Sequence, residues 1–217
     1  VTHTGNSGTG IDVLTTGPNN TFSSNKIVTT GTTSPAISLG MGVTANTFSS
    51  NEISTSGASS PGVSLTAAGG NMFMSNNITT SSAIRASGIA LSASPASNIS
   101  TNIIVASGGG TSYGIYLTAG ANASNISGNN ITATSSYGIL LELNSKDNLF
   151  MNNNISDSIL FEIYDNTSTD FNNSLVYGNS YGEIRWLNNG TGSFLSNLTL
   201  NITNDLGLGL YRNIFLG

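Results

Sequence analysis

The chain has 217 residues, a formal net charge of −5, no Cys, and only 7% charged residues, where ordinary globular domains carry about 25%. Five Lys plus Arg leave no basic stripe to neutralise nucleic-acid phosphates, and no apolar run nears the roughly 20 residues of a membrane helix. Without thiols there is neither a disulfide framework nor a thiolate metal site. Asn (30) and Ser plus Thr (60) fill the space that charge leaves. The apolar residues are nevertheless regularly placed, as a packed core requires.

The chain opens at Val1 on a short polar stretch, VTHTGNSGTG, which lacks a charged n-region followed by an apolar run. Such a start reads as a processed product or an excised segment. From Ile11 onward two motifs alternate. The first, G-I-x-L, gives Ile11/Val13, Ile37/Leu39, Val63/Leu65, Ile89/Leu91, Ile115/Leu117, Ile139/Leu141 and Ile163, spaced by 26 four times and then by 24 twice. The second, F-x-x-N-x-I, gives Phe22/Asn25/Ile27, Phe48/Asn51/Ile53, Phe73/Asn76/Ile78, Ile99/Asn102/Ile104, Ile126/Asn129/Ile131 and Phe150/Asn153/Ile155, then weakens at Val176/Asn179/Tyr181. The two keep one period without drifting apart, so the chain is a repeat protein.

Each repeat holds two or three short alternating segments and no stretch with a 3.6 period, so its elements are strands joined by turns. A single such strand buries no apolar face. Stacking equivalent strands about 4.8 Å apart pairs every backbone group and builds a continuous core. The expected fold is all-β: one parallel solenoid of about eight coils, 24–26 residues each. Over roughly residues 10 to 190 these motifs resemble the right-handed parallel β-helix family, the pectate-lyase-like fold with its repeat-bearing surface proteins. Residues 1–190 are read as the β-helix. Residues 191–217 break the period and are read as a strand-rich cap or assembly segment of the same domain.

Within the repeat, Asn25, Asn51, Asn76, Asn102, Asn129 and Asn153 fall at a corner. There Asn tolerates left-handed backbone, and its amide can bond its own turn and the Asn one coil away, giving an inward amide ladder. Outward columns follow from phasing. The residue between Ile and Leu of G-I-x-L gives Asp12, Ser38, Ser64, Ala90, Tyr116, Leu140 and Tyr164, then Arg185. The strand after F-x-x-N gives Val28, Ser54, Thr79, Val105, Thr132 and Ser156, a hydroxyl and β-branched face that looks like the Thr arrays of ice-binding solenoids.

Acids gather late in the chain at Asp157, Glu162, Asp165, Asp170 and Glu183. Two adjacent carboxylates could act as acid and base on a glycoside or hold Ca²⁺. Should the chain be an enzyme, its catalytic residues are expected to be Glu162, Glu183 and Arg185. Hydrolases of the resembled fold carry paired Asp motifs, a His-Gly motif and an Arg-x-Lys strip, none of which stands here. Its lyases use Ca²⁺-binding Asp residues with an Arg or Lys base, which Arg185 near the acids echoes.

Twelve N-x-S/T sequons occur. Those at Asn77, Asn98, Asn125, Asn130 and Asn154 each precede an inward Ile, which turns the Asn outward as a glycan acceptor. Solenoid ends expose unpaired edges. The segment SNLTLNITNDLGLGLYRNIFLG alternates strongly, as a cap or a contact with another copy would. End-to-end contacts build filaments. The expected function is a non-enzymatic extracellular structural protein without a cofactor, on a bacterial or archaeal surface. It would self-assemble into a filament, sheath or surface layer and carry covalent glycans, with no nucleic acid and no membrane span. The alternative is a carbohydrate-active or carbohydrate-binding β-helix.

Overall fold

A computed structural model describes residues 1–14, 17–82 and 84–167, together with the segments 173–175, 180–181, 184–186, 194–195 and 199–200. Every strand pairing among the described residues is parallel, and the strands fall into three sheets that each gain one strand per turn. Sheet I holds the G-I-x-L strands: Ile11–Val13, Ile37–Leu39, Val63–Thr66, Ile89–Ser92, Ile115–Thr118, Ile139–Leu141 and Ile163–Asp165. Sheet II runs from Thr21–Ser23 to Phe194–Leu195, and sheet III from Lys26–Thr29 to Thr199–Leu200, with Thr2–His3 on its outer edge. The molecule is a right-handed parallel β-solenoid without helices among the described residues. Residues 201–217, the larger part of the expected terminal segment, lie outside the described residues.

The register converts sequence period into spatial columns. Phe22 pairs with Phe48 and Phe48 with Phe73, and their rings stack at 4.7 and 4.9 Å, within 7° of parallel. Ile37, Leu39, Phe48 and Ile53 in one coil, and their equivalents in the next three, are at most 1% exposed. Burying each such side chain contributes about 1.5–3 kcal/mol, which offsets the entropy of ordering a strand too short to stand alone.

The Gly that stands before five of these seven strands is explained by close approach. A Cβ at Gly88 would lie 2.3 Å from Ile104 Cγ2 and 2.7 Å from the Gly114 carbonyl oxygen, because sheet III turns into sheet I there.

The corners differ from the expectation in one respect. The residue in the left-handed region is not the ladder Asn but the one before it: Ser24, Ser50, Ser75, Thr101, Gly128 and Asn152, with φ between 51° and 65°. That turn aims the following Asn inward. Each ladder Nδ2 donates to the next Oδ1, from Asn25 through Asn51, Asn76, Asn102 and Asn129 to Asn153, at 2.9–3.0 Å. The same Oδ1 accepts the preceding Asn's backbone N–H.

A second ladder, not anticipated, lines the corner between sheets I and II. Asn20 Nδ2 donates to Asn46 Oδ1 at 2.9 Å and Asn46 Nδ2 to Asn71 Oδ1 at 3.2 Å. It is interrupted by Ser97 and Ser124 and resumes with Asn148 Nδ2 on Asn173 Oδ1 at 3.0 Å. Both Asn residues of the recurring NTFSSN are therefore ladder members.

Candidate functional site: an aromatic face on sheet I

The outer face of sheet I changes character midway along the solenoid. In the column just before the Gly, Pro35 and Pro61 give way to Ser87 and then to Tyr113, Tyr137 and Phe161. Three residues on, Ser38, Ser64 and Ala90 are followed by Tyr116, Leu140 and Tyr164, which pair in register. The rings of one column meet those of the other. Tyr113 lies 5.1 Å from Tyr116 and 5.8 Å from Tyr137, Tyr137 lies 6.1 Å from Phe161 and 5.1 Å from Tyr164, and Phe161 lies 5.7 Å from Tyr164. Five half-buried rings thus form one continuous surface. They also cover Leu140, which points outward yet is 1% exposed.

Polar groups edge this surface. The Tyr116 hydroxyl donates to Glu142 Oε2 at 2.9 Å, and the Tyr164 hydroxyl donates to Asn166 Oδ1 at 3.1 Å. Asn166 Nδ2 donates in turn to Glu142 Oε1 at 3.4 Å. Burial raises the pKa of Tyr113 and Tyr116, and the Glu142 carboxylate pushes both the same way by disfavouring a second negative charge. Both phenols are therefore neutral donors at physiological pH.

Where the rings begin, a depression of about 370 Å³ opens, lined by Pro61, Arg85, Ser87, Ala90, Thr111, Tyr113 and Tyr116. Ser87 and Ala90, small side chains in both columns, make the room. Arg85 stands at this depression with a left-handed backbone, φ 50°.

Of the acids that gather late in the chain, Asp157, Glu162 and Asp165 lie among the described residues. Glu162 occupies the column filled by Gly in the three preceding coils and is 8% exposed, so it is not a surface acid. Asp165 continues the Leu91, Leu117, Leu141 column into the core, fully buried, where Thr167 and Asn173 donate to it. Asp157 is exposed. Three carboxylates so placed do not converge on one Ca²⁺. Asp170, Glu183 and the side chain of Arg185 lie outside the described residues.

The glycan acceptors divide. Asn77, Asn130 and Asn154 are exposed on sheet III, with Asn154 Nδ2 donating to Asn130 Oδ1 at 3.2 Å. Asn98 and Asn125 on sheet II are only half exposed, and their Oδ1 atoms are buried without a hydrogen-bond partner. The aromatic face had a legible signal that motif phasing passed over: an aromatic residue directly before the motif's Gly or its Glu162 replacement, in Y-G-I-Y, Y-G-I-L and F-E-I-Y.

A family model described as periplasmic copper-binding protein (NosD) matches residues 1–190. The chain belongs to the NosD family. No curated protein and no solved structure matches it. Copper is held by thiolates, imidazoles and thioethers, and this NosD chain has no Cys, one His and four Met. His3 Nε2 is buried without a partner, but the ring lies over Gly8 at the first turn, with no other imidazole to join it. Met72 and Met74 share one strand of sheet II, Met151 lies three strands away, and Met41 is on an exposed turn. No three His, Cys, Asp or Glu gather among the described residues. The donors present do not fit a copper centre.

Proposed function

We propose that this NosD-family solenoid is a non-catalytic protein of the cell envelope or surface that binds glycan on the outer face of sheet I. One observation carries the reading: five aromatic rings brought together from two columns, edged by Glu142, Asn166 and Arg85. Aromatic faces with a few placed polar groups suit ligands that present apolar C–H faces and hydroxyl rims, as saccharides do. A rigid repeat scaffold holds such a surface without ordering cost. The chemistry is that of recognition, since Glu142 is engaged by Tyr116 and Asn166.

Retention on immobilised polysaccharides tests the proposal. Wild type should be retarded by at least one glycan class, and Tyr137→Ala with Tyr164→Ala should weaken retention at least tenfold while keeping the β-sheet circular dichroism. Retention no greater than that of serum albumin, or indifferent to the double variant, sinks the reading.

The envelope location accords with the family description. Covalent glycans are proposed at Asn77, Asn130 and Asn154, whose exposure on sheet III leaves the aromatic face of sheet I clear. An intact mass of native protein equal to the bare chain refutes that part. A second reading is end-to-end assembly with another copy. The first coil favours it, because Ile11, Val13 and Phe22 are only partly buried there, whereas their equivalents one coil on are at most 1% exposed. Preceding chain would cover the same edge. Electron microscopy of native material showing filaments with the axial repeat of the solenoid supports assembly, and dispersed particles refute it.

A further inference from the structure

We infer that the depression over Ser87 is a slot for a single sugar ring carrying an anionic substituent, inserted as the missing member of the aromatic column. The inference rests on the glycan reading above and names its end site. The column Pro35, Pro61, Ser87, Tyr113, Tyr137, Phe161 has a ring at every position except Ser87. Rungs repeat at 4.7–4.9 Å in the interior Phe stack. The backbones of Pro61 and Tyr113, two rungs apart, therefore stand about 9.6 Å from each other, while neighbouring rings of this column itself sit 5.8–6.1 Å apart. A ring sandwiched at contact distance on both faces needs about 7–8 Å. One pyranose fits the gap.

The neighbouring column is also vacant at Ala90, so the ring has lateral room, while Tyr116 closes the side toward the aromatic face. The floor is Ser87, itself 6% exposed.

Charge sets the orientation. Of the cations among the described residues, Lys26 is paired with Glu52 at 2.6 Å. Arg85 makes no ion pair among those residues and stands at the depression. The nearest acid named at this face, Glu142, lies beyond Tyr116 and accepts its hydroxyl. A carboxylate or phosphate on the sugar therefore points to Arg85 and away from Glu142. Guanidinium binds either anion in bidentate fashion. The chain's net charge of −5 makes this local cation, rather than the overall field, the reason an acidic sugar would settle here.

Glucuronate, glucose 6-phosphate and glucose place a carboxylate, a phosphate and a hydroxyl on the same carbon and serve as the probes, titrated into wild type by NMR. Both anions should bind at least tenfold tighter than glucose, and the tighter of them identifies carboxylate or phosphate as the preferred group. Arg85→Gln should bring both within twofold of glucose. Ser87→Trp, which places a ring where the column already accepts rings at Tyr113, Tyr137 and Phe161, should abolish binding of all three with an unchanged unfolding midpoint. Equal affinity for glucose, or indifference to either variant, overturns the slot. If polysaccharide retention still depends on Tyr137 and Tyr164 in that event, the slot falls alone. If no glycan is retained, both readings fall.

Discussion

Replacing Asn102 by Ala removes four hydrogen bonds from the solenoid's interior. Asn102 Nδ2 donates to Asn129 Oδ1 at 3.0 Å and to the Phe73 carbonyl at 2.9 Å, and Asn102 Oδ1 accepts the Asn76 backbone N–H and Asn76 Nδ2, both at 2.9 Å. The damage is unequal among the partners. Asn129 Oδ1 keeps the Asn102 backbone N–H, and Asn76 Nδ2 keeps the Phe48 carbonyl. The Asn76 N–H loses its side-chain acceptor at a site with 1% exposure, where water does not replace it. Three bonds lost at about 1 kcal/mol each, with one buried donor stranded at about 1–3 kcal/mol, give a destabilisation of about 4–6 kcal/mol.

The internal control is Asn25→Ala in the first coil. There Nδ2 donates to Ser23 and Asn51, and the residue is partly exposed, so the same change should cost about 1 kcal/mol. Urea unfolding followed by far-ultraviolet circular dichroism reads both. Equal costs for the two variants, or a cost below about 1 kcal/mol at Asn102, would refute the ladder as a source of stability. A reduced m-value for Asn102→Ala would show instead that the solenoid separates into halves at that coil.

Three further outcomes are expected. Because the phenols of Tyr113 and Tyr116 hold their protons more tightly folded than unfolded, their contribution to stability is intact below about pH 10 and fades as pH rises through the folded values. Denaturation midpoints from pH 8 to pH 11.5 should fall more steeply in wild type than in Tyr113→Phe with Tyr116→Phe, and identical slopes would contradict this. Phe73→Ala opens a cavity in the interior ring stack and should cost about 3–5 kcal/mol, read by the same urea titration. Lys26→Ala breaks an exposed pair whose side chains are 67% and 59% accessible, so its effect should stay below about 1 kcal/mol. A larger loss would mean that the pair is shielded from water.

Columns were legible because two motifs sharing one period leave little freedom in register. Phe22, Phe48 and Phe73, and the six Asn of the first ladder, lie where the spacing puts them. What was not legible had local causes. The left-handed residue is set by the geometry of the turn rather than by side-chain preference, and positions as varied as Ser24, Thr101 and Asn152 carry it. The second ladder mixes Asn with Ser at 97 and 124, which conceals it from a search for identity. The acids at the end of the chain were grouped by nearness in sequence. Yet Glu162, three residues before Asp165, sits at a corner built for Gly, and Asp165 sits in a core column built for Leu. Outward and inward alternate residue by residue on a strand, so proximity along the chain says little about convergence in space. The aromatic face escaped because its two columns lie three positions apart in sequence and become neighbours only across rungs.

Along both ladders the bonds between one carboxamide and the next run with a single sense, Nδ2 giving hydrogen to the Oδ1 of the coil that follows. A turn of this chain consequently presents the same plug above and the same socket below as its neighbours do. Whole turns could be excised or duplicated in such a molecule with their seams already matched. The extent of the ring-bearing surface would then lengthen or shrink in steps of one rung, without redesign of anything inside.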